Sequence, residues 1–161
     1  MKYLIFIFLL ISNIGFSQEI NDLLQSRQFV IEANKMTDVE GRSSPAIKRL
    51  CFILIDSTQA IIQWTSNGDN NGLGGITIRG EIKDYNYSSS NIEKEEQYLV
   101  HLICEMDEGR VKSEINAEIY SKSHAEAVLS NQTSSIFVPQ KMKFLGKLVP
   151  LQDSNVIIGS D

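Results

Sequence analysis

The sequence predicts an all-β, mainly antiparallel domain, built either as a sandwich or as an up-and-down, lipocalin-like barrel with a short N-terminal helix. About eight short runs rich in β-branched and aromatic residues follow one another at regular spacing. Several of them alternate strictly between apolar and polar residues, which is typical of strands with one buried face. No alternation of strands with helices favours a parallel sheet.

Residues 1–17 have the features of a cleavable secretory signal peptide. Lys2 supplies the positive charge, an almost continuous apolar run follows, and Gly15 and Ser17 place small residues at positions −3 and −1 of the cleavage site. The alternative is a membrane anchor, but the apolar run is shorter than the roughly 20 residues that a spanning helix needs. No cysteine near the cleavage site offers a lipoprotein route. We therefore expect a periplasmic or secreted single domain, residues 18–161, with no transmembrane anchor.

Charge composition argues against a nucleic-acid partner. The net charge is −5 and the pI is about 5.1, and no cluster of lysine and arginine is present. A surface that neutralises a phosphate backbone needs such a cluster, so nucleic acid is not an expected partner.

The first half of the mature chain reads as one helix followed by strands. The helix is expected at 19–28, where Ile20, Leu23 and Leu24 share one side. A polar stretch with glycine and proline is expected to be a connection, and two apolar runs with a four-residue gap predict a hairpin. The expected strand, connection and hairpin arms are 29–33, 34–49, 50–55 and 60–65.

The second half begins with the clearest strand, residues 75–83. The alternation slips by one at Tyr85 and Tyr87, which predicts a β-bulge near Lys83–Asp84. A polar loop is expected at 88–96, and the next strand is apolar on both sides. Residues 124–130 favour a strand, with a short helix as the alternative. The remaining expected strands are 98–106, 111–120, 135–138 and 143–149.

The segment 66–75, rich in glycine and asparagine, has the most unusual composition in the chain. Asn67, Asp69 and Asn71 resemble the opening of a calcium-binding loop. The position that needs a bidentate glutamate is Ile78, and flanking helices are absent, so calcium is not predicted. A hairpin connection that uses glycine and asparagine for positive φ angles is favoured.

Catalytic residues, cofactors and metals are not predicted. His101 and Cys104 are three positions apart and leave a strand on opposite faces, and His124 stands at a turn. Two histidines without metal-ligand spacing do not make a zinc site. Glu114 and Glu118 share a polar strand face, which usually serves solubility.

Cys51 and Cys104 lie in apolar, strand-like runs of an exported chain. They are either small buried hydrophobic residues or, if their strands are neighbours, a disulfide. The sequence leaves both open.

Aromatic side chains offer a candidate ligand or partner surface at Trp64, Tyr85 and Tyr87. For Trp64, a packing role in the core or at its rim is the favoured alternative.

Three segments together resemble a known family: 29–34 (FVIEAN), 74–85 (GGITIRGEIKDY) and 144–150 (FLGKLVP). They resemble the exported domain-of-unknown-function family 4251 of Gram-negative bacteria, over nearly the whole mature chain. The sequence departs from the family pattern at 63–68, where members commonly carry a Pro-Tyr-Phe/Tyr-Gly segment. The resemblance implies export and a β-rich fold, and it supplies no catalytic residues.

We therefore expect an exported, non-enzymatic β-domain that binds a small apolar ligand or an envelope partner. The alternatives are a structural or protein-interaction module, which would act through a sheet edge or an aromatic face, and a hydrolase.

Overall fold

Antiparallel strands make up most of the computed structural model, which describes residues 19–47, 49–65, 75–92, 95–106, 111–132 and 140–159. A helix, α1, covers residues 19–26. The strands β1 to β9 are Gln28–Thr37, Ser43–Pro45, Phe52–Asp56, Gln59–Thr65, Gly75–Ile92, Glu95–Met106, Val111–Ser121, His124–Asn131 and Lys141–Pro150. A single 3₁₀ turn, Leu151–Asp153, leads into the C-terminal segment, residues 151–159.

The sheet closes on itself. The strand order is β1-β3-β4-β5-β6-β7-β8-β9, and β9 pairs back with β1, which gives a barrel of eight antiparallel strands. The short β2 pairs with the far end of β1 alone. The all-β prediction is confirmed, and closure decides for the lipocalin-like barrel over the sandwich, because a sandwich would leave two sheets with separate edges.

Glycine permits the closest strand approach in this wall. A Cβ atom at Gly146 of β9 would overlap the Glu32 carbonyl oxygen of β1. The pairing of these two strands shifts register directly afterwards, between Ala33 and Lys35. A residue without a side chain is therefore required where the barrel closes.

Most strand predictions are confirmed, with two corrections. The hairpin of β3 and β4, the helix, and the strand at 124–130 are present, and a register shift between Ile82 and Asp84 is the predicted bulge. The expected loop at 88–96 is wrong, because β5 and β6 extend into it as a long hairpin. Serine and asparagine are tolerated there because pairing with the partner strand, rather than side-chain propensity, holds the backbone.

The expected connection at 34–49 is also partly strand. β1 continues to Thr37 and pairs with β2 inside the predicted connection. The expected strand at 135–138 and most of the glycine-rich segment lie outside the described residues.

The inward faces of the barrel strands form one core, and α1 closes one end of it. Leu24 of the helix is fully buried, and its carbonyl oxygen accepts a hydrogen bond of 2.9 Å from the Tyr85 hydroxyl. The Arg27 guanidinium lies 4.7 Å from the centre of the Tyr85 ring. The largest fully buried side chains of this core are Tyr98, Phe29, Phe144, Leu24, Ile31, Ile53, Ile55, Ile62, Leu102, Met106 and Ile115.

One outer face of the barrel carries a second, smaller apolar cluster. Val30, Phe52 and Leu54 point outward from β1 and β3, and Leu151 and Val156 of the C-terminal segment pack against them. We call the outer surface at Val30, Phe52 and Leu54 the covered face. The sequence pattern predicts no helix or strand for the segment that covers this face.

No helix in the described ranges has the length and apolar character needed to span a bilayer.

Candidate functional site

The three aromatic residues proposed as a surface face the barrel core. Trp64 and Tyr85 are 5% and 8% exposed. Tyr87 is half-buried and packs against the same core, with its ring centre 6.3 Å from that of Tyr85. Burial raises the pKa of the Tyr85 phenol, so the hydroxyl remains a hydrogen-bond donor to the helix. Their burial places these rings in the packing of the barrel rather than on an exposed face.

The two cysteines are buried free thiols. Cys51 directly precedes β3 and Cys104 lies in β6, so two strands separate them in the wall. With neighbouring strands about 4.8 Å apart, this separation exceeds the roughly 7 Å limit for a disulfide. Burial raises the pKa of the Cys104 thiol to about 12. The adjacency that a bridge requires is absent, and both residues serve as small buried side chains.

The buried polar residues of the described ranges are few and neutral. Ser113 and Asn131 lie opposite each other on β7 and β8, and the serine hydroxyl donates a 2.6 Å hydrogen bond to the asparagine side-chain oxygen. Across the described ranges, the buried polar residues are Gln63, Thr65, Gln97, Ser113 and Asn131. None is a carboxylate, and the described residues contain no group of three or more His, Cys, Asp or Glu able to hold a metal ion.

Both histidines lie on the outside of the barrel. His101 Nδ1 is 2.8 Å from Asn116 Oδ1, and the Asn116 amide donates to Glu114. Because Asn116 Oδ1 can only accept, this network assigns the proton to Nδ1. His124 stands at the β7–β8 turn, with its ring centre 4.8 Å from that of Tyr120.

A groove of about 390 Å3 runs across the outer wall of β6 to β9. We call it the open groove. The residues that line it include the aliphatic Leu99 and Val128, the carboxylates Glu118 and Glu126, and the basic Lys143 and His101. Leu99 is 42% exposed and Val128 is half-buried. Two aliphatic side chains, on either side of β7, are therefore accessible here beside charged groups.

Two carboxylates face each other across the floor of the open groove. Glu118 and Glu126 are directly opposite on β7 and β8, an arrangement that costs stability unless the charges are compensated. Lys143 forms an ion pair with Glu126 and holds the pKa of that carboxyl below its usual value, and His124 lies 3.6 Å from the same side chain. Glu126 is thus compensated.

Within the described ranges, Glu118 has neutral hydrogen-bond donors in place of a basic partner. It accepts a 2.5 Å hydrogen bond from the Tyr120 hydroxyl and a 3.4 Å hydrogen bond from the Gln97 amide. The first of these raises the pKa of Tyr120 to about 12. Among the described residues, no lysine, arginine or histidine forms an ion pair with Glu118. The open groove therefore contains one carboxylate solvated by neutral donors and facing a second carboxylate.

The architecture has a counterpart among solved structures. A crystal structure described as a DUF4251 family protein from Bacteroides eggerthii matches it with a TM-score of 0.63 and 21% identity. The match covers 83% of this chain and 87% of that chain. The barrel has a DUF4251 fold. This is the family that the three sequence segments resemble.

At this level of identity the likeness extends to the DUF4251 fold and not to residues of a site. No protein-family model matches the sequence, and no curated protein matches it either.

The open groove was not predicted from the sequence. The signal for it was present in β6, where Leu99, His101 and Ile103 share the face opposite the core. The sequence analysis noted that this strand is apolar on both sides, and in the structure Leu99 is exposed and the other two are partly exposed.

Proposed function

We propose that the protein is an exported, non-enzymatic member of the DUF4251 family that binds a partner of the cell envelope through the open groove. One observation supports the proposal: the aliphatic side chains of Leu99 and Val128 are accessible in the open groove, whereas the apolar side chains of the covered face are covered by the chain itself. Accessible apolar surface bordered by polar groups is typical of interaction sites. Export follows from the signal peptide expected at residues 1–17.

An interior site for a small apolar ligand has less support. Large side chains from the strands line the described interior, and α1 adds Leu24 and Ile20 at one end. A calyx that holds a ligand needs a cavity of roughly 300 Å3 or more. The groove of comparable size described above lies outside the barrel.

A hydrolase has less support for a related reason. Paired carboxylates act in a cleft where one carboxyl has a raised pKa. Glu126 instead has a lowered pKa because of Lys143, so it is a poor general acid near neutral pH.

Site-specific photo-cross-linking in the native envelope tests the proposal. A benzophenone amino acid is placed at Val128 in the open groove or, as a matched control, at Val39, a valine that is 59% exposed on the β1–β2 connection. We expect a discrete adduct from position 128 and none from position 39. Adding Leu99→Arg should abolish that adduct. Equal adducts from both positions, no adduct from position 128, or an adduct unaffected by Leu99→Arg would contradict the proposal.

Export is tested separately by intact mass. The mature chain should begin at Gln18, and a chain that retains residues 1–17 in the envelope fraction would argue against cleavage.

A further inference from the structure

The C-terminal segment shows how this barrel holds an extended chain against its outer wall. Leu151 and Val156 place aliphatic side chains on the covered face. The Ile157 amide donates a 2.9 Å hydrogen bond to the Arg49 carbonyl oxygen. Aliphatic contacts are thus combined with backbone hydrogen bonds.

Polar side chains of the wall fix the rest of the segment. The Gln63 amide nitrogen donates to the carbonyl oxygens of Ile157 and Leu50 at 2.8 and 3.1 Å. Its side-chain oxygen accepts from the Gly159 amide and the Thr77 hydroxyl at 2.8 and 2.9 Å. All four hydrogen bonds of this buried side chain are used, and two of them, to Ile157 and Gly159, hold the extended segment.

In the open groove, no segment among the described residues lies over Leu99, and aliphatic side chains lie beside carboxylates. Leu99 of β6 is directly opposite Glu118 of β7, which is opposite Glu126 of β8. Val128 lies two residues beyond Glu126 on the same outward side of β8. The two carboxylates therefore lie between the two aliphatic side chains on this part of the wall.

Charge indicates what the occupant carries. Lys143 and His124 lie beside Glu126, whereas Glu118 has only neutral donors among the described residues. A cation brought in by a partner would neutralise Glu118 and relieve its repulsion with Glu126. An anionic partner would meet both carboxylates.

We propose that the open groove binds an extended segment of a partner protein, with aliphatic side chains on Leu99 and Val128 and a lysine or arginine paired with Glu118. The inference rests on the proposed function and specifies its partner. Because side chains on one side of an extended chain recur every second residue, the recognised pattern is aliphatic-x-basic-x-aliphatic.

NMR titration of the mature chain with three synthetic peptides tests this pattern. The probe is Ser-Val-Ser-Lys-Ser-Val-Ser, and its two counterparts carry Gln or Glu in place of Lys. We expect the Lys peptide to bind about two- to fivefold more tightly than the Gln peptide, as for a partly exposed ion pair. The Glu peptide should bind more weakly still. The shifted resonances should include those of Leu99 and Val128.

Variants of the wall locate the preference. Glu118→Gln should remove the difference between the Lys and Gln peptides, because Gln keeps the hydrogen-bond acceptor and loses the charge. Glu105→Gln is the matched control: this exposed carboxylate is on the outer side of β6 and pairs with Lys83 at 3.4 Å. It should leave the preference unchanged.

The outcomes separate this inference from the proposed function. Equal binding of the three peptides, or a lysine preference that survives Glu118→Gln, overturns the basic-segment inference even if Val128 cross-links a partner. A cross-linked adduct with the mass of two copies of this chain also overturns it, because the occupant is then a second copy.

Discussion

The covered face and the open groove are two outer regions of the same barrel, and both present aliphatic side chains. Over Val30, Phe52 and Leu54 the chain lays its own C-terminal segment, and these residues are at most 5% exposed. At the open groove, Leu99 remains 42% exposed. Both regions belong to one closed wall, so among the described residues the difference lies in what covers them. The covered face is the precedent within this chain for the segment that we propose for the open groove.

Removal of residues 151–161 should cause the largest loss of stability. Val30, Phe52 and Leu54 would become accessible, and the contacts of Leu151 and Val156 would be lost. Full burial of an aliphatic side chain contributes about 1.5–3 kcal/mol, which would give about 6 kcal/mol at most for the two. Because Leu151 and Val156 are half-buried, we expect the free energy of unfolding to fall by about 3–5 kcal/mol. Urea unfolding measures this. An unchanged midpoint would show that the covered face does not need its cover.

Gln63→Leu should have the next largest effect. It leaves the groups that the amide satisfied, including the Ile157 carbonyl and the Gly159 amide, without their partner. We expect a loss of about 1–3 kcal/mol. The matched control is Gln59→Leu on the same strand and outward side, where the residue is exposed. It should change stability by less than about 0.5 kcal/mol. If both variants lose the same free energy of unfolding, the hydrogen bonds of Gln63 do not hold the C-terminal segment.

The pH dependence of stability below pH 7 tests one carboxylate beside each region: Glu32 beside the covered face and Glu126 in the open groove. Burial acts to raise the pKa of Glu32, but the hydrogen bond from Ser154 and the pairing with Lys147 outweigh it, and the pKa is lowered. The ion pair with Lys143 lowers the pKa of Glu126. A carboxyl with a lowered folded pKa contributes stability above its unfolded pKa and loses it as the pH falls through the folded pKa.

Ser154→Ala and Lys143→Met should therefore each cost less than about 1 kcal/mol at pH 7. Each should also reduce the loss of stability as the pH falls below the ordinary glutamate value of 4.5. Urea unfolding from pH 7 to pH 3 measures both effects. A variant that is destabilised equally at pH 7 and pH 3 would show that its partner carboxyl does not act through protonation.

Leu99→Arg should have the smallest effect on stability. The side chain is largely exposed, so we expect a change within about 0.5 kcal/mol, together with the loss of cross-linking described above. A loss above about 2 kcal/mol would mean that Leu99 packs the barrel, and the open groove would then resemble the covered face.

The strand pattern was predictable because inward and outward residues alternate along most strands. The bulge after Ile82 was also predictable from the sequence. It turns Tyr85 and Tyr87 inward, to the positions where an unbroken alternation would have placed Asp84 and Asn86. The β5–β6 extension was missed because the serines and asparagines of 88–92 favour loops, and pairing between strands overrides that preference.

The candidate site was much less predictable. Trp64 and Tyr85 stood out by residue type, yet type does not tell which side of a closed wall a ring faces. The open groove depends on cross-strand register: Leu99, Glu118 and Glu126 come from three strands and become neighbours only through pairing. The C-terminal segment could not be placed because long-range contacts, such as Gln63 with Gly159, leave no local pattern in the sequence.

Hydroxyl-radical footprinting of the exported chain, with and without the envelope partner captured at Val128, tests the central claim most directly. Leu99 and Tyr120 are exposed beside the open groove, and Ile158 is 42% exposed on the segment that covers the other face. We predict that the partner protects Leu99 and Tyr120 from oxidation and leaves Ile158 as reactive as before. Protection of Ile158 with no change at Leu99 would contradict the account.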